Sequence, residues 1–315
     1  MSPLIFHIII LVICLYLISK SADYAIGAVT SYARKTGISK FIIGFIIVSI
    51  GTSIPEFSTA VMASLADESQ LLLGDLIGAS IIVVGFVLAL TVIISKRIKI
   101  KGKTGLDYKS IMVFILVILS CGLMLLGEEI SRIDGGILLI GFCVYLIVLW
   151  KKEEKLSHMK KQVLFSKIWQ DIVVFGGCIA ALLLAARWLV MSAVGISDII
   201  GIPKHIIGLI IIALGTTIPE LTVNIKSAMK GSAPVAFGNV FGSIIANITL
   251  ILAIAALIKP FDVPFEIFGI SIFFLIGFVV LGLFMLTRKQ ITWKHGLILL
   301  ACYAVFIILI ILRGF

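Results

Sequence analysis

The chain has 315 residues, 61% of them hydrophobic and only 13% charged, about half the roughly 25% charged share of soluble domains. A soluble globule of this length cannot bury that much apolar surface, and runs long enough to cross hydrocarbon recur along the whole chain. The net charge of +10 does not mark a nucleic-acid binder, because the lysines sit in short loops between apolar runs, where cytoplasmic loops meet anionic lipid.

In chain order the pattern predicts ten spans, at residues 4–29, 41–65, 71–94, 111–127, 135–150, 172–193, 205–228, 235–258, 265–286 and 296–312. The first run (Leu4 to Ile18) has no basic leader and no small-residue cleavage site, so it reads as a retained helix rather than a signal peptide. The longest connections are 95–110 and 151–170, which leaves no room for a separate soluble domain. Cys14, Cys121, Cys143, Cys178 and Cys302 all lie in apolar runs without ligand spacing and read as packing residues. Twenty of the 26 Lys and Arg follow the first, third, fifth, seventh and ninth spans. The positive-inside rule makes those loops cytoplasmic and both termini external in a multi-pass plasma-membrane protein.

The sequence repeats itself. Lys40 to Val83 aligns without gaps on Lys204 to Asn247, 164 residues later, with 14 identities in 44 positions. Gly-Thr-Ser-Ile-Pro-Glu at 51–56 returns as Gly-Thr-Thr-Ile-Pro-Glu at 215–220, and Gly74 and Gly78 return as Gly238 and Gly242. Each copy belongs to a unit of five spans, an odd number, so the second unit must lie upside down relative to the first. Residues 1–150 form the first unit, 151–170 a basic cytoplasmic linker and 171–315 the second unit. The expected fold class is an all-α polytopic membrane protein of ten helices in two inverted repeats, with proline-broken helices 2 and 7. Such transporters place their site at the midplane, where the halves meet.

Glu56 and Glu220 fall midway through their spans, where a carboxylate costs at least about 2.5 kcal/mol unless compensated. No Lys or Arg lies in the central third of either glutamate-bearing span. Pro55 and Pro219 have no N–H to give to the carbonyls of Gly51 and Gly215, and unwound carbonyls at membrane depth are tolerated where they hold an ion. Thr52, Ser53, Thr216 and Thr217 add hydroxyls. An all-oxygen ligand set fits hard cations such as calcium or sodium. Two carboxylates are neutralised by one divalent ion, two monovalent ions or two protons, which is the basis of antiport. A channel would show a wide polar stripe or an oligomeric filter. A membrane enzyme finds no support, because His205 has no acid or nucleophile at useful spacing. Ser243 and Asn247 share a helix face, and Asn247 is read as lining the site. The paired Asp75 and Asn239 are candidates for a gating or ion-admission role; Asp75 is expected near the external end of its span, where a helix-end charge is the alternative.

The motifs at 51–56, 74–78, 215–220 and 238–243 resemble the alpha-1 and alpha-2 repeats of the sodium/calcium exchanger family, within the calcium:cation antiporter superfamily, in its compact prokaryotic form. The alpha-1 motif covers 44–83 and the alpha-2 motif 208–247. The resemblance implies that Glu56 and Glu220 hold calcium and share sodium, with the carbonyls of Thr52 and Thr216 completing the calcium shell. It also implies that the carbonyls of Ser49 and Ala213, with the side chains of Ser53, Thr217 and Ser243, form flanking sodium sites. Spans 1 and 6 would slide as a gating bundle. No cofactor and no protein partner is implied; the partners are membrane lipid and inorganic cations, and a monomer would suffice.

Three positions depart from the family. Ala79 replaces a common serine, Val83 an asparagine or aspartate, and Asn247 an aspartate. Calcium exchanged for sodium by alternating access is therefore the leading expectation, with calcium (or another divalent cation) exchanged for protons as the alternative. If these losses weaken sodium coupling, Val83→Asn combined with Asn247→Asp should steepen the sodium dependence of calcium flux in proteoliposomes. An unchanged sodium response would refute that account.

Overall fold

The computed structural model describes residues 2–36, 51–99, 108–127, 129–153, 169–229, 233–288 and 290–314. The first part of the expected second span and most of the 151–170 linker lie outside them. The described chain is nearly all helix. Helices α1 (Pro3–Thr36), α2 (Ile54–Leu65), α3 (Ser69–Ser95), α4 (Tyr108–Leu126) and α5 (Arg132–Glu153) make the first half. The second half holds α6 (Trp169–Ile200), α7 (Lys204–Thr216), α8 (Ile218–Met229), α9 (Ala233–Ile245 continuing to Ile258), α10 (Phe265–Leu286) and α11 (Trp293–Gly314).

Seven of these helices are long and apolar enough to cross a membrane, and α7 with α8 forms one further span bent by 46°. Of the other two expected spans, α4 is apolar over the shorter stretch Ser110–Leu126. The last, α2, has its preceding segment outside the described residues. α6 ends on Gly201 at φ 73°, with Pro203 just before α7. Glycine accepts the left-handed conformation after a helix, and proline is at home at the next helix start.

Burial sorts the helices into a centre and a periphery. In α3 and α9, 78% and 72% of the most apolar stretch is buried, against 17% in α1 and 22% in α6. A helix apolar all round belongs in the middle of a bundle. The exposed Ile, Leu and Phe of α1, α5, α6 and α11 form the face that hydrocarbon would cover. α1 and α6 pack chiefly along each other and reach the rest mainly through α2, α7 and α8.

The elements recur at the sequence offset of 164 residues. The break at Ser53 recurs at Thr217, and α2 (Ile54–Leu65) recurs as α8 (Ile218–Met229). π-helical turns fall at Val83–Leu88 in α3 and Ala246–Ile251 in α9. Two short ribbons follow the same rule. β1 (Arg97–Lys99), after α3, pairs antiparallel with β4 (Gln290–Thr292), before α11. β3 (Phe261–Asp262), after α9, pairs with β2 (Glu129–Ile130), before α5. Each half thus lends its third helix's tail to the other half's last helix, and the ends of α3 and α9 pack on α11 and α5 respectively.

The centre is set by backbone contact between α3 and α7. A Cβ on Gly74 would stand 2.6 Å from the carbonyl oxygen of His205 and 3.1 Å from Cα of Gly208. A Cβ on Gly208 would stand 2.7 Å from the carbonyl oxygen of Leu71. Small residues let membrane helices approach this closely. Gly208→Ala should therefore cost about 1–3 kcal/mol by overpacking, seen as a lower melting temperature in detergent. Gly136→Ala, with nothing within 4 Å of the added carbon, should not lower it. Equal melting of both variants would refute the close crossing.

Candidate ion site

The site begins with two helix breaks. Ser53 (φ −84°, ψ 8°) and Thr217 (φ −81°, ψ 4°) leave helical geometry, and α2 and α8 restart at the next residue. Pro55 and Pro219 then occupy the second helical position, where the missing N–H costs nothing. This puts Glu56 and Glu220 in the first turn of their helices, at the positive end of the helix dipole. Both glutamates are completely buried. Glu56 lies within electrostatic reach of Glu220 and of Asp75.

The halves interlock crosswise. Thr216 stands beside Glu56, and Thr52 beside Glu220. The Thr52 hydroxyl donates to Oδ1 of Asn239 at 3.3 Å, and the Thr216 hydroxyl donates to Oδ1 of Asp75 at 3.1 Å. These two bonds are equivalents under the repeat. Ser243 connects the halves further, 3.4 Å from the Thr52 hydroxyl and donating to Oε1 of Glu220 at 3.4 Å.

Asp75 differs from its expected placement. It is 2% exposed and takes hydroxyl hydrogens from Thr216 at Oδ1 and from Thr59 at Oδ2. The reason is the glycine crossing. With Gly74 against Gly208, α3 meets α7 one residue before Asp75, which brings its side chain to Thr216 beside the second break and to Thr59 within α2.

Other expected residues fare differently. Ser49 lies outside the described residues, and Ser53 is buried. The Thr217 hydroxyl turns back onto its own helix, donating to the carbonyl of Ala213 at 2.8 Å. That carbonyl also accepts from the Thr217 N–H at 3.2 Å, and the Thr216 hydroxyl lies 3.3 Å from it. Ala213 and Thr217 are therefore joined to each other at the break. Ala79 and Ala213 belong to an apolar cluster with Ile82 and Val87, against which Phe86, Leu221 and Tyr303 pack.

Two site residues were not singled out in the sequence. Thr59 donates to Asp75 as well as to the carbonyl of Glu56, and the Asn224 amide donates to the carbonyl of Glu220 at 2.9 Å. The available signal was spacing: residues three or four beyond a glutamate share its helix face.

The donor set is oxygen throughout. Among the described residues, both carboxylate oxygens of Glu56, Oε2 of Glu220 and both amide atoms of Asn247 are buried without a hydrogen-bond partner. Buried polar atoms are nearly always paired, so the unpaired oxygens in this set, which are acceptors, fit a cation as cargo; the Asn247 Nδ2 is a donor. No group of three His, Cys, Asp or Glu side chains forms a compact metal cage among the described residues. A bound ion would be shared between carboxylates, hydroxyls and amide oxygens.

Comparison with known proteins agrees with this chemistry. The family profile described as "Sodium/calcium exchanger protein" matches residues 6–151 and 171–312. The sodium/calcium exchanger MaX1 of Methanosarcina acetivorans is 26% identical, with 96% of this chain and 98% of that protein aligned. The uncharacterized membrane protein MJ0091 of Methanocaldococcus jannaschii is 31% identical over 92% of this chain and 93% of its own. Among solved structures, the sodium-calcium exchanger NCX_Mj soaked with sodium and strontium superposes with a TM-score of 0.69 at 26% identity, covering 97% of this chain and 99% of that one. With most of its length matched by that profile, the chain belongs to the sodium/calcium exchanger protein family.

Proposed function

We propose that the protein is a secondary-active antiporter that moves Ca2+ across the membrane in exchange for Na+ by alternating access. The observation that carries this reading is the meeting of Glu56 and Glu220, one from each half, fully buried and within electrostatic reach of each other. Such a pair is tolerated at depth only when cations cancel its charge. A site that must be filled in each crossing state couples the movement of one ion to that of another.

Several finer assignments go with this reading. Glu56, Glu220, Thr52, Thr216, Ser243 and Asn247 form the ion path, with Ser53 beside it. The two halves are inverted repeats of five spans, a reading supported by the exchanged β ribbons. α1 and α6 slide as one unit, supported by the way they pack mainly along each other. The basic loops face the cytoplasm, both termini lie outside, and a monomer carries the whole site. No enzymatic step is assigned. The names of the relatives favour sodium over protons as the counter-ion.

The test is 45Ca uptake into proteoliposomes with the opposite side varied between sodium, potassium and a pH jump. Uptake should follow the sodium gradient. Glu56→Gln and Glu220→Gln should each lower it by more than about tenfold, with wild-type elution on gel filtration. Normal flux in both variants would refute the site. Current without any counter-gradient would identify a channel, and uptake driven by the pH jump alone would identify proton exchange.

A further inference from the structure

We infer that Asn224 forms a waiting position for a partly hydrated cation, between the buried acids and the outer end of α8, on one side of the membrane only. The inference rests on the exchange reading above and adds a station outside the central site.

Asn224 lies one turn beyond Glu220 on α8, about 6 Å further along the helix axis, and is 0% exposed. Its Nδ2 donates to the carbonyl of Glu220 at 2.9 Å. A carbonyl can only accept, so this bond fixes which way the amide is turned. Oδ1 points away from that carbonyl and is buried without a hydrogen-bond partner among the described residues. Leaving a buried acceptor unpaired is costly. The bond to Glu220 needs only a donor, and a threonine can supply one at the same spacing, as Thr222 does to the carbonyl of Ile218 at 3.0 Å. An amide is required here only if its oxygen is used.

The repeat supplies a comparison. Glu220, Asn224 and Ser227 fall at helical spacing on one face of α8, and all three are buried. The equivalents of Asn224 and Ser227 after Glu56 on α2 are Ala60 and Ala63, both buried. The two helices pack alike, α2 on the last turns of α9 and α8 on the last turns of α3. On α2 the seam is bonded shut, with the Ser64 hydroxyl donating to the carbonyl of Ala255 at 3.0 Å. The equivalent of Ser64 on α8 is Ala228, which has no hydroxyl to give. A polar stripe thus leads from Glu220 toward the exposed Met229 at the end of α8, where the matching face of α2 carries alanines.

A cation leaving the acids along α8 gives up carboxylate oxygens before bulk water has rebuilt its shell. A carbonyl oxygen one turn away suits a hard cation that keeps some of its waters. Being neutral, it binds weakly enough for the ion to move on. Ser227 offers a hydroxyl one turn further out. Ions crossing on the α2 side find no equivalent ligand on that face.

Membrane vesicles of opposite orientation test this. Sodium-loaded vesicles are prepared with either face outward. Labelling of a Met229→Cys variant by an impermeant maleimide, above the level of the unsubstituted protein, identifies the preparation that presents the α8 end. The calcium concentration for half-maximal 45Ca uptake is then measured from each face. Asn224→Thr keeps a donor for the Glu220 carbonyl and replaces the free oxygen with a methyl group. It should raise that concentration about three- to tenfold from the α8 face and leave it unchanged from the other. Unchanged values from both faces would make Asn224 a purely structural group and overturn the inference. Equal rises from both faces would place the effect in the central site, and opposite shifts would mark an altered balance between the two facing states; either result overturns it too. If Asn224→Thr carries no flux, Asn224→Ala replaces it under the same criteria, and absence of flux in both variants overturns the inference. Wild-type vesicles without sodium-driven calcium uptake from either face would overturn the antiport reading itself.

Discussion

The structure depends on one electrostatic constraint. Carboxylates fully removed from water, with no lysine or arginine beside them, cannot stay ionised in a bilayer interior unless something positive is supplied. A static protein would meet that need with a buried cationic side chain. Among the described residues the lysine ion pairs lie away from the site acids and buried acceptors are left unpaired, so a mobile cation supplies the compensating charge in the exchange reading. The helix breaks help with part of the cost. Each glutamate sits in the first turn of a helix that restarts inside the membrane, where unpaired N–H groups favour negative charge. Neither helix end supplies a whole positive charge, and the remainder falls to the cargo.

That electrostatic device works only because the backbones come close. Gly74 and Gly208 let α3 and α7 touch without side chains between them. This contact sets the depth of Asp75 and places Thr216 of one half within hydrogen-bonding distance of the other half's acid. The glycines therefore pack the helices and also set the geometry of the ion path. The crossed tails of α3 and α9, each paired through a ribbon to the opposite half, tie the same two helices at their ends. A buried centre of α3 and α9 then stands apart from α1 and α6, which pack chiefly along each other, the division expected when one part moves past another.

Much of this was legible in the sequence. The proline-glutamate motifs pointed to breaks in the second and seventh spans, because proline's missing N–H acts locally, and the structure has them at Ser53 and Thr217, two residues before each proline. The repeat offset carried over to α2 and α8 without adjustment. What escaped was whatever depended on how helices cross. The depth of Asp75 could not be read from its distance to a span end, since α3 begins at Ser69 and meets α7 within two turns. Thr59 looked like an ordinary small residue because its partner is 16 positions away. Nor did the sequence show that the Thr217 hydroxyl would return to the carbonyl of Ala213, the acceptor one turn back along the chain.

The two halves share a scaffold but not a chemistry. On the first-half flank, Ala79, Ile82, Val87 and Ala213 make a dry cluster, and the π turn of α3 carries Val83, which is fully buried. On the second-half flank, Ser243 binds Glu220 and the π turn of α9 carries Asn247. π turns recur where a helix must reposition a functional side chain, so the same backbone irregularity serves a polar residue in one half and an apolar one in the other. An ion path built this way is not a symmetric cage around a central ion. The apolar side chains on one flank offer an ion no ligand, while the first half carries an acid, Asp75 with Thr59, where the second carries an amide, Asn239 with Val223.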